Sequence, residues 1–168
     1  MCRDENTTPS EGDARIAPQD EIRHLLERVT KMVLDLVDKH GYSMPLCLGH
    51  SPTGRAIWIG ADSSDPDATY DPQKSAMSIL YTVRQMIGKG ELRALAFARN
   101  LTCTISDDAG VRETAAVKVL LDHEAGGGYV AYVLYHVAEG KCVPDGMIDE
   151  KLEDRFFPTS AAKPKVAE

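Results

Sequence analysis

The sequence predicts an α+β domain: a single five-stranded antiparallel sheet, two long helices packed on one of its faces, and a short C-terminal helix. Two observations predict this. From Leu92 to Val137, apolar residues occupy odd positions through three consecutive segments. They are Leu95, Phe97, Leu101, Cys103 and Ile105, then Val111, Ala115, Val117, Val119 and Leu121, then Tyr129, Ala131, Val133, Tyr135 and Val137. Alternation with period two marks strands that bury one face. Upstream, two longer stretches place apolar residues at spacings of three and four, the stripe of an amphipathic helix.

The elements follow in order. Residues 1–17 lack periodicity and are expected to be a disordered tail. Helix one spans Pro18 to His40, with Ile22, Leu25, Leu26, Val29, Met32, Val33, Leu36 and Val37 on its stripe. Gly41 stands where a left-handed cap residue belongs. Met44–Gly49 and Arg55–Ala61 read as strands joined by a turn at Pro52-Thr53-Gly54. After a polar loop, Asp71-Pro72 supplies a capping carboxylate and a proline for the first helical position. Ala76, Ile79, Leu80, Val83 and Ile87 form the second stripe, which ends at Gly88 and Gly90. The meander turns at Asp107–Gly110 and at Gly126-Gly127-Gly128. Asp145–Phe157 is expected to carry the short helix, with Ile148, Leu152 and Phe156 on one face. Residues 18–157 then form one domain, and 158–168 a loose tail.

Composition narrows the functional classes. The chain of 168 residues has a net charge of −7 and no Lys/Arg cluster. Nucleic-acid binding rests on phosphate neutralisation, so the balance argues against it, and equally against anionic membranes. No apolar run approaches the ~20 residues of a membrane span. The polar N-terminus lacks the pattern of a signal peptide, so a cytoplasmic location is expected. Cys2, Cys47, Cys103 and Cys142 are scattered without a CxxC motif and read as free thiols.

No motif in the chain calls for a cofactor or a metal. Cys47 and His50 have C-x-x-H spacing, but a zinc site needs two further ligands, and His123 and His136 have opposite parity on adjacent strands. The same pair makes a poor nucleophile and base, and buried hydrophobe is the better account of Cys47. Asp62, Asp65, Asp67 and Asp71 miss the calcium-loop pattern. The three-glycine stretch joins strands and does not open a helix, so it is no phosphate cradle. Ser51 lacks the setting of a nucleophile elbow.

Two anomalies remain on the meander. If the odd faces of its strands coincide, Phe97 falls near Val119, Leu101 near Ala115, and Val117 near Tyr135. Arg99 then stands on the apolar face opposite Val117, with Tyr135, Glu113 and His123 on the same face. Its guanidinium must reach water at the sheet edge, pair with Glu113, or grip an anionic ligand between sheet and helices. The even face carries Ala94, Ala96, Ala98, Leu120, Val130, Tyr132 and Leu134, and Ala96, Leu120 and Tyr132 line up across the strands. Such a semi-apolar patch marks an interaction surface unless the C-terminal segment folds over it.

The layout resembles the profilin-like and roadblock-like α+β folds in its order of elements. It is also similar to a group of small bacterial proteins of unassigned function that share a meander of the type GELRALAFARNLTCTI followed by AAVKVLLDHEAGGGYVAYVLY. The resemblance spans roughly Ile22–Val137 and implies a fold, not an activity.

The expected function is a non-enzymatic cytosolic interaction module, of a regulatory or toxin-neutralising kind. It would bind itself, as a homodimer, or a protein partner through Ala96, Leu120, Tyr132 and Leu134. The alternative is an anion sensor or minor enzyme with a cleft built on Arg99, Glu113 and Tyr135.

Overall fold

The computed structural model of the protein describes residues 16–61 and 71–158. Helix α1 (Pro18–His40) has Pro18 at its start and Asp20 and Glu21 in the first turn, and Lys39 and His40 in the last. Both arrangements suit the helix dipole. It stops at Gly41, whose φ of 77° lets its N–H donate to the Val37 carbonyl. After β1 (Leu46–His50) and β2 (Ala56–Ile59), Asp71 caps α2 (Pro72–Gly88), accepting from the N–H groups of Gln73 and Lys74 at 3.0 and 3.3 Å. Four strands complete the fold: β3 (Ala94–Asp107), β4 (Gly110–His123), β5 (Tyr129–Ala138) and β6 (Lys141–Lys151).

All strands pair antiparallel in one six-stranded sheet of order β2-β1-β3-β4-β5-β6. This corrects the five-stranded expectation, and the short C-terminal helix is absent from the described residues. Glu139 (φ 54°) and Gly140 (φ 77°) make a tight turn with both residues left-handed, which returns the chain as β6. Ile148 and Leu152 happen to lie four apart, which read as helical. Strand β6 gave no alternation signal because almost all of it is exposed on both faces. Asp145 is an extra residue in the β5–β6 ladder, where Leu134 pairs with Gly146 but Tyr135 with Pro144.

The helices pack on opposite faces of the sheet, not on one. Residues Ala94–Ala98 are buried in succession, so this part of β3 is covered from both sides. Ala94, Ala96 and Ala98 meet Ile22, Leu25, Val29 and Val33 of α1. Leu95 and Phe97 meet Ala76, Ile79 and Val83 of α2, together with Cys47, Ile59 and Phe157. The alanines are small because a helix lies on them.

The register of the meander also differs. Asp107 pairs with Gly110, leaving a turn of only Asp108 and Ala109 between them. Odd positions of β3 therefore sit opposite even positions of β4: Phe97 opposite Leu120, Arg99 opposite Lys118. From β4 to β5 parity is kept, as in Val119 opposite Ala131. A one-residue difference in turn length moved every β3 side chain to the other face.

The edges of the sheet are blunt. Strand β2 has only four residues. Strand β6 carries Pro144 and the charges of Lys141, Asp145, Asp149, Glu150 and Lys151. Beyond it the chain crosses to the α2 side, where Leu152 and Phe157 are buried.

Candidate functional site

Two places stand out: a buried knot of charge at one end of the sheet, and the part of the α2-side face that α2 leaves open.

The knot centres on Glu21, 1% exposed. Extending the α1 stripe one turn back from Leu25 and Val29 lands on Glu21, so helical geometry turns it inward. Its Oε1 accepts from His50 Nδ1 at 2.7 Å and from Arg93 Nε at 2.8 Å. Its Oε2 accepts from His123 Nε2 at 3.1 Å. The His123 tautomer follows from its neighbours. Nδ1 accepts from the Ala125 N–H at 2.9 Å, so the proton is on Nε2. Arg93 Nη1 also donates to the Pro52 carbonyl at 3.1 Å. Burial pushes the Glu21 carboxyl upward, but the hydrogen bonds from Arg93, His50 and His123 outweigh it and hold the group below its ordinary value of 4.5.

Asp122 forms a second buried anchor beside the knot. Its Oδ2 accepts from the N–H groups of Phe156 and Phe157 at 2.8 and 3.1 Å. Its Oδ1 accepts from the His123 N–H at 2.9 Å and from Arg155 Nη2 at 3.2 Å. Glu21 thus ties α1 to β1, to the start of β3 and to the end of β4, and Asp122 ties the C-terminal segment to β4. The arrangement clamps; it does not present a nucleophile. Both nitrogens of His123 are used. Cys47 points to the opposite face from His50, and burial pushes its thiol up to about 12. Ser51 Oγ contacts Thr53 Oγ1 at 3.0 Å and accepts from the Arg55 N–H at 3.1 Å.

The open face is a grid of cross-strand rows. Phe97, Leu120, Val130 and Glu150 form the first, and Arg99, Lys118, Tyr132 and Ile148 the second. Leu101, Ala116, Leu134 and Gly146 form the third. Phe97 and Leu120 belong to the cluster under α2. In the second row Arg99 is exposed, Lys118 and Tyr132 are half-buried and Ile148 is 42% exposed. Lys118 Nζ lies 5.5 Å from the centre of the Tyr132 ring, and the Tyr132 hydroxyl donates to Glu150 Oε2 at 3.3 Å.

The residues singled out from the sequence fall as follows. Leu120, Tyr132 and Leu134 share the α2-side face; Ala96 lies on the other, fully buried under α1. Ala96, Leu120 and Tyr132 therefore do not line up, because the two-residue turn shifted the parity. Leu134 is nearly closed over at 9% exposure, while Leu120 and Tyr132 are half-buried. Arg99 reaches solvent on the α2 side, beside a hollow of about 380 Å³ lined by Tyr42, Ser43, Pro45, Pro72 and Asn100. Glu113 and Tyr135, at odd positions of β4 and β5, belong to the α1 side, and the Tyr135 hydroxyl donates to Asn100 Oδ1 at 2.6 Å. The three are not brought together, and His123 is committed to Glu21. Asp62, Asp65 and Asp67 lie outside the described residues.

Among the described residues no group of three His, Cys, Asp or Glu side chains could hold a metal ion, and no helix is long and apolar enough to cross a membrane. No protein-family model, curated protein or solved structure matches the chain.

Proposed function

We propose that the protein is a non-enzymatic interaction module that pairs with a second copy of itself through the open α2-side face. The observation that supports this is the second row. It is basic at its β3–β4 end, through Arg99 and Lys118, and apolar at Tyr132 and Ile148. Glu150 stands next to Ile148 on the same face. A two-fold axis near the middle of the row would set the basic end of each copy against the acidic end of the other, with tyrosines at the centre. An isologous interface needs this self-complementarity, and a central aromatic is its usual anchor.

The test is native mass by size-exclusion chromatography with light scattering. The wild type is expected to run as a dimer. Tyr132→Asp is expected to give folded monomers, with Kd raised on the order of 100-fold by a buried unpaired charge. Tyr132→Ala is the second variant, used if the aspartate impairs folding. A wild type that stays monomeric at high concentration, or folded variants that stay dimeric, would overturn the proposal.

A further inference from the structure

We propose that the open side of β3 takes the C-terminal segment of a partner protein as an added antiparallel strand, with its terminal carboxylate held beside Arg99. The outer edges of the sheet are blunt, but β3 outruns its neighbour. Strand β1 pairs with β3 only as far as Leu46 opposite Ala98, whereas β3 continues to Asp107. Among the described residues, 99–107 therefore pair on the β4 side alone. The Arg93 carbonyl accepts from the Glu124 N–H at 2.8 Å, which sets the phase of that ladder. Backbone groups of odd β3 residues face β4, and those of even residues face away. Asn100, Thr102, Thr104 and Ser106 thus present N–H and C=O groups to the open side, a template for a further strand.

Two features state which strand fits. The first is charge. The step in the sheet closes where β1 begins, at the hollow of about 380 Å³ lined by Ser43, Pro45, Pro72, Arg99 and Asn100. Arg99 is exposed and has no ion pair among the described residues. Asn100 comes from the other face of the sheet. Its Oδ1 accepts from the Tyr135 hydroxyl at 2.6 Å, so its NH₂ group is the donor left over. A strand antiparallel to β3 has its C-terminal end at this hollow, where guanidinium and amide can both donate to the carboxylate. Arg99 also ends the second row, and its five donors suffice for both contacts. The second feature is the pattern of side chains. Leu101, Cys103 and Ile105 are half-buried on the α2 side, and Thr102, Thr104 and Ser106 are exposed on the other. Matching cross-strand neighbours are apolar residues at alternate positions from the C-terminus, with hydroxyls between them. In this mode backbone bonds supply affinity, and the alternate side chains and the carboxylate supply specificity.

The probe is the N-acetylated hexapeptide Lys-Val-Thr-Val-Thr-Val with a free C-terminus and a fluorophore on its lysine. Fluorescence polarisation should show saturable binding to the full chain, and amide NMR shifts should concentrate on residues 99–107. The C-terminal amide of the same peptide should bind at least about tenfold more weakly. Arg99→Leu should erase that difference. Methylating the backbone nitrogens of the two threonines, which would face Thr102 and Thr104, should also weaken binding at least about tenfold. Thr104→Pro removes an outward N–H while leaving the β4 ladder its bonds, and should have the same effect; the methylated peptide reads the edge if that variant fails to fold. The peptide needs no second copy of the chain, so a monomeric protein leaves the test intact. The proposal is overturned if the peptide does not saturate, if acid and amide bind equally well, if the NMR shifts lie elsewhere, or if methylation leaves the affinity unchanged.

Discussion

Glu21→Gln is expected to cost about 3 kcal/mol of folding stability, because breaking a buried ion pair strands the charge left behind. The amide keeps the shape of the carboxylate, so the loss reports charge and not packing. Arg93 would keep its bond to the Pro52 carbonyl but lose its counter-charge. An amide also cannot accept on both of its terminal atoms, so one donor among His50, Arg93 and His123 would face an NH₂ group. Urea denaturation at neutral pH measures the difference, and a loss under 1 kcal/mol would refute the clamp.

The same residue gives a pH signature. Its folded carboxyl lies below the ordinary value of 4.5, so the unfolded chain takes up that proton first as the solution is acidified. The stabilisation is fully present above the ordinary value and is lost as pH falls toward the folded one. Wild-type stability should therefore drop more steeply than that of Glu21→Gln below about pH 4.5, and the two curves should converge. Parallel curves through that window would assign the acid sensitivity to other carboxylates.

Asp122→Ala is the other large effect. One carboxylate accepts from the N–H groups of His123, Phe156 and Phe157 and from Arg155. Alanine removes the acceptor of the three backbone N–H groups, while Arg155 Nη2 keeps its 2.8 Å bond to the His123 carbonyl, and the expected loss is on the order of 3 kcal/mol. Phe157, 4% exposed against the α2-side core, should then detach with its segment. Limited proteolysis would read this as new cleavage after residue 151 at protein concentrations where the wild type resists. Unchanged cleavage with unchanged stability would show that the core holds Phe157 without Asp122.

Much of the frame was legible in the sequence. Pro18, Gly41 and Asp71-Pro72 are local signals, and they mark the helix ends at the positions the structure shows. The strands of the meander were equally plain, since alternation is local. Their mutual facing was not. It depends on whether the Asp107–Gly110 turn holds two residues or three, and that choice decided the fate of Arg99 and Ala96. The alanine-rich even face of β3 read as an exposed patch because small residues suit an open surface and a closely packed helix alike. Strand β6 was hidden because an edge exposed on both faces has no apolar rhythm. Glu21 and Arg93 were missed for a different reason. Each looks like an ordinary surface charge, and they meet only because β1, β3 and β4 end beside the first turn of α1. The stripe through Leu25, Val29 and Val33 does point at Glu21, and following it one turn further would have flagged a carboxylate in the core.

The blunt edges of the sheet bear on how copies of this chain could accumulate. An edge with free backbone donors and acceptors can add strands without limit, and the products are fibrils. Here one edge is a four-residue strand and the other holds a proline, an extra residue and five charged side chains. Growth along the hydrogen-bonding direction is disfavoured at both ends. Association through a face about a two-fold axis consumes that face in a single step. Self-assembly of this protein would therefore terminate at a finite particle, and a concentrated solution should stay clear where an open-edged sheet would gel.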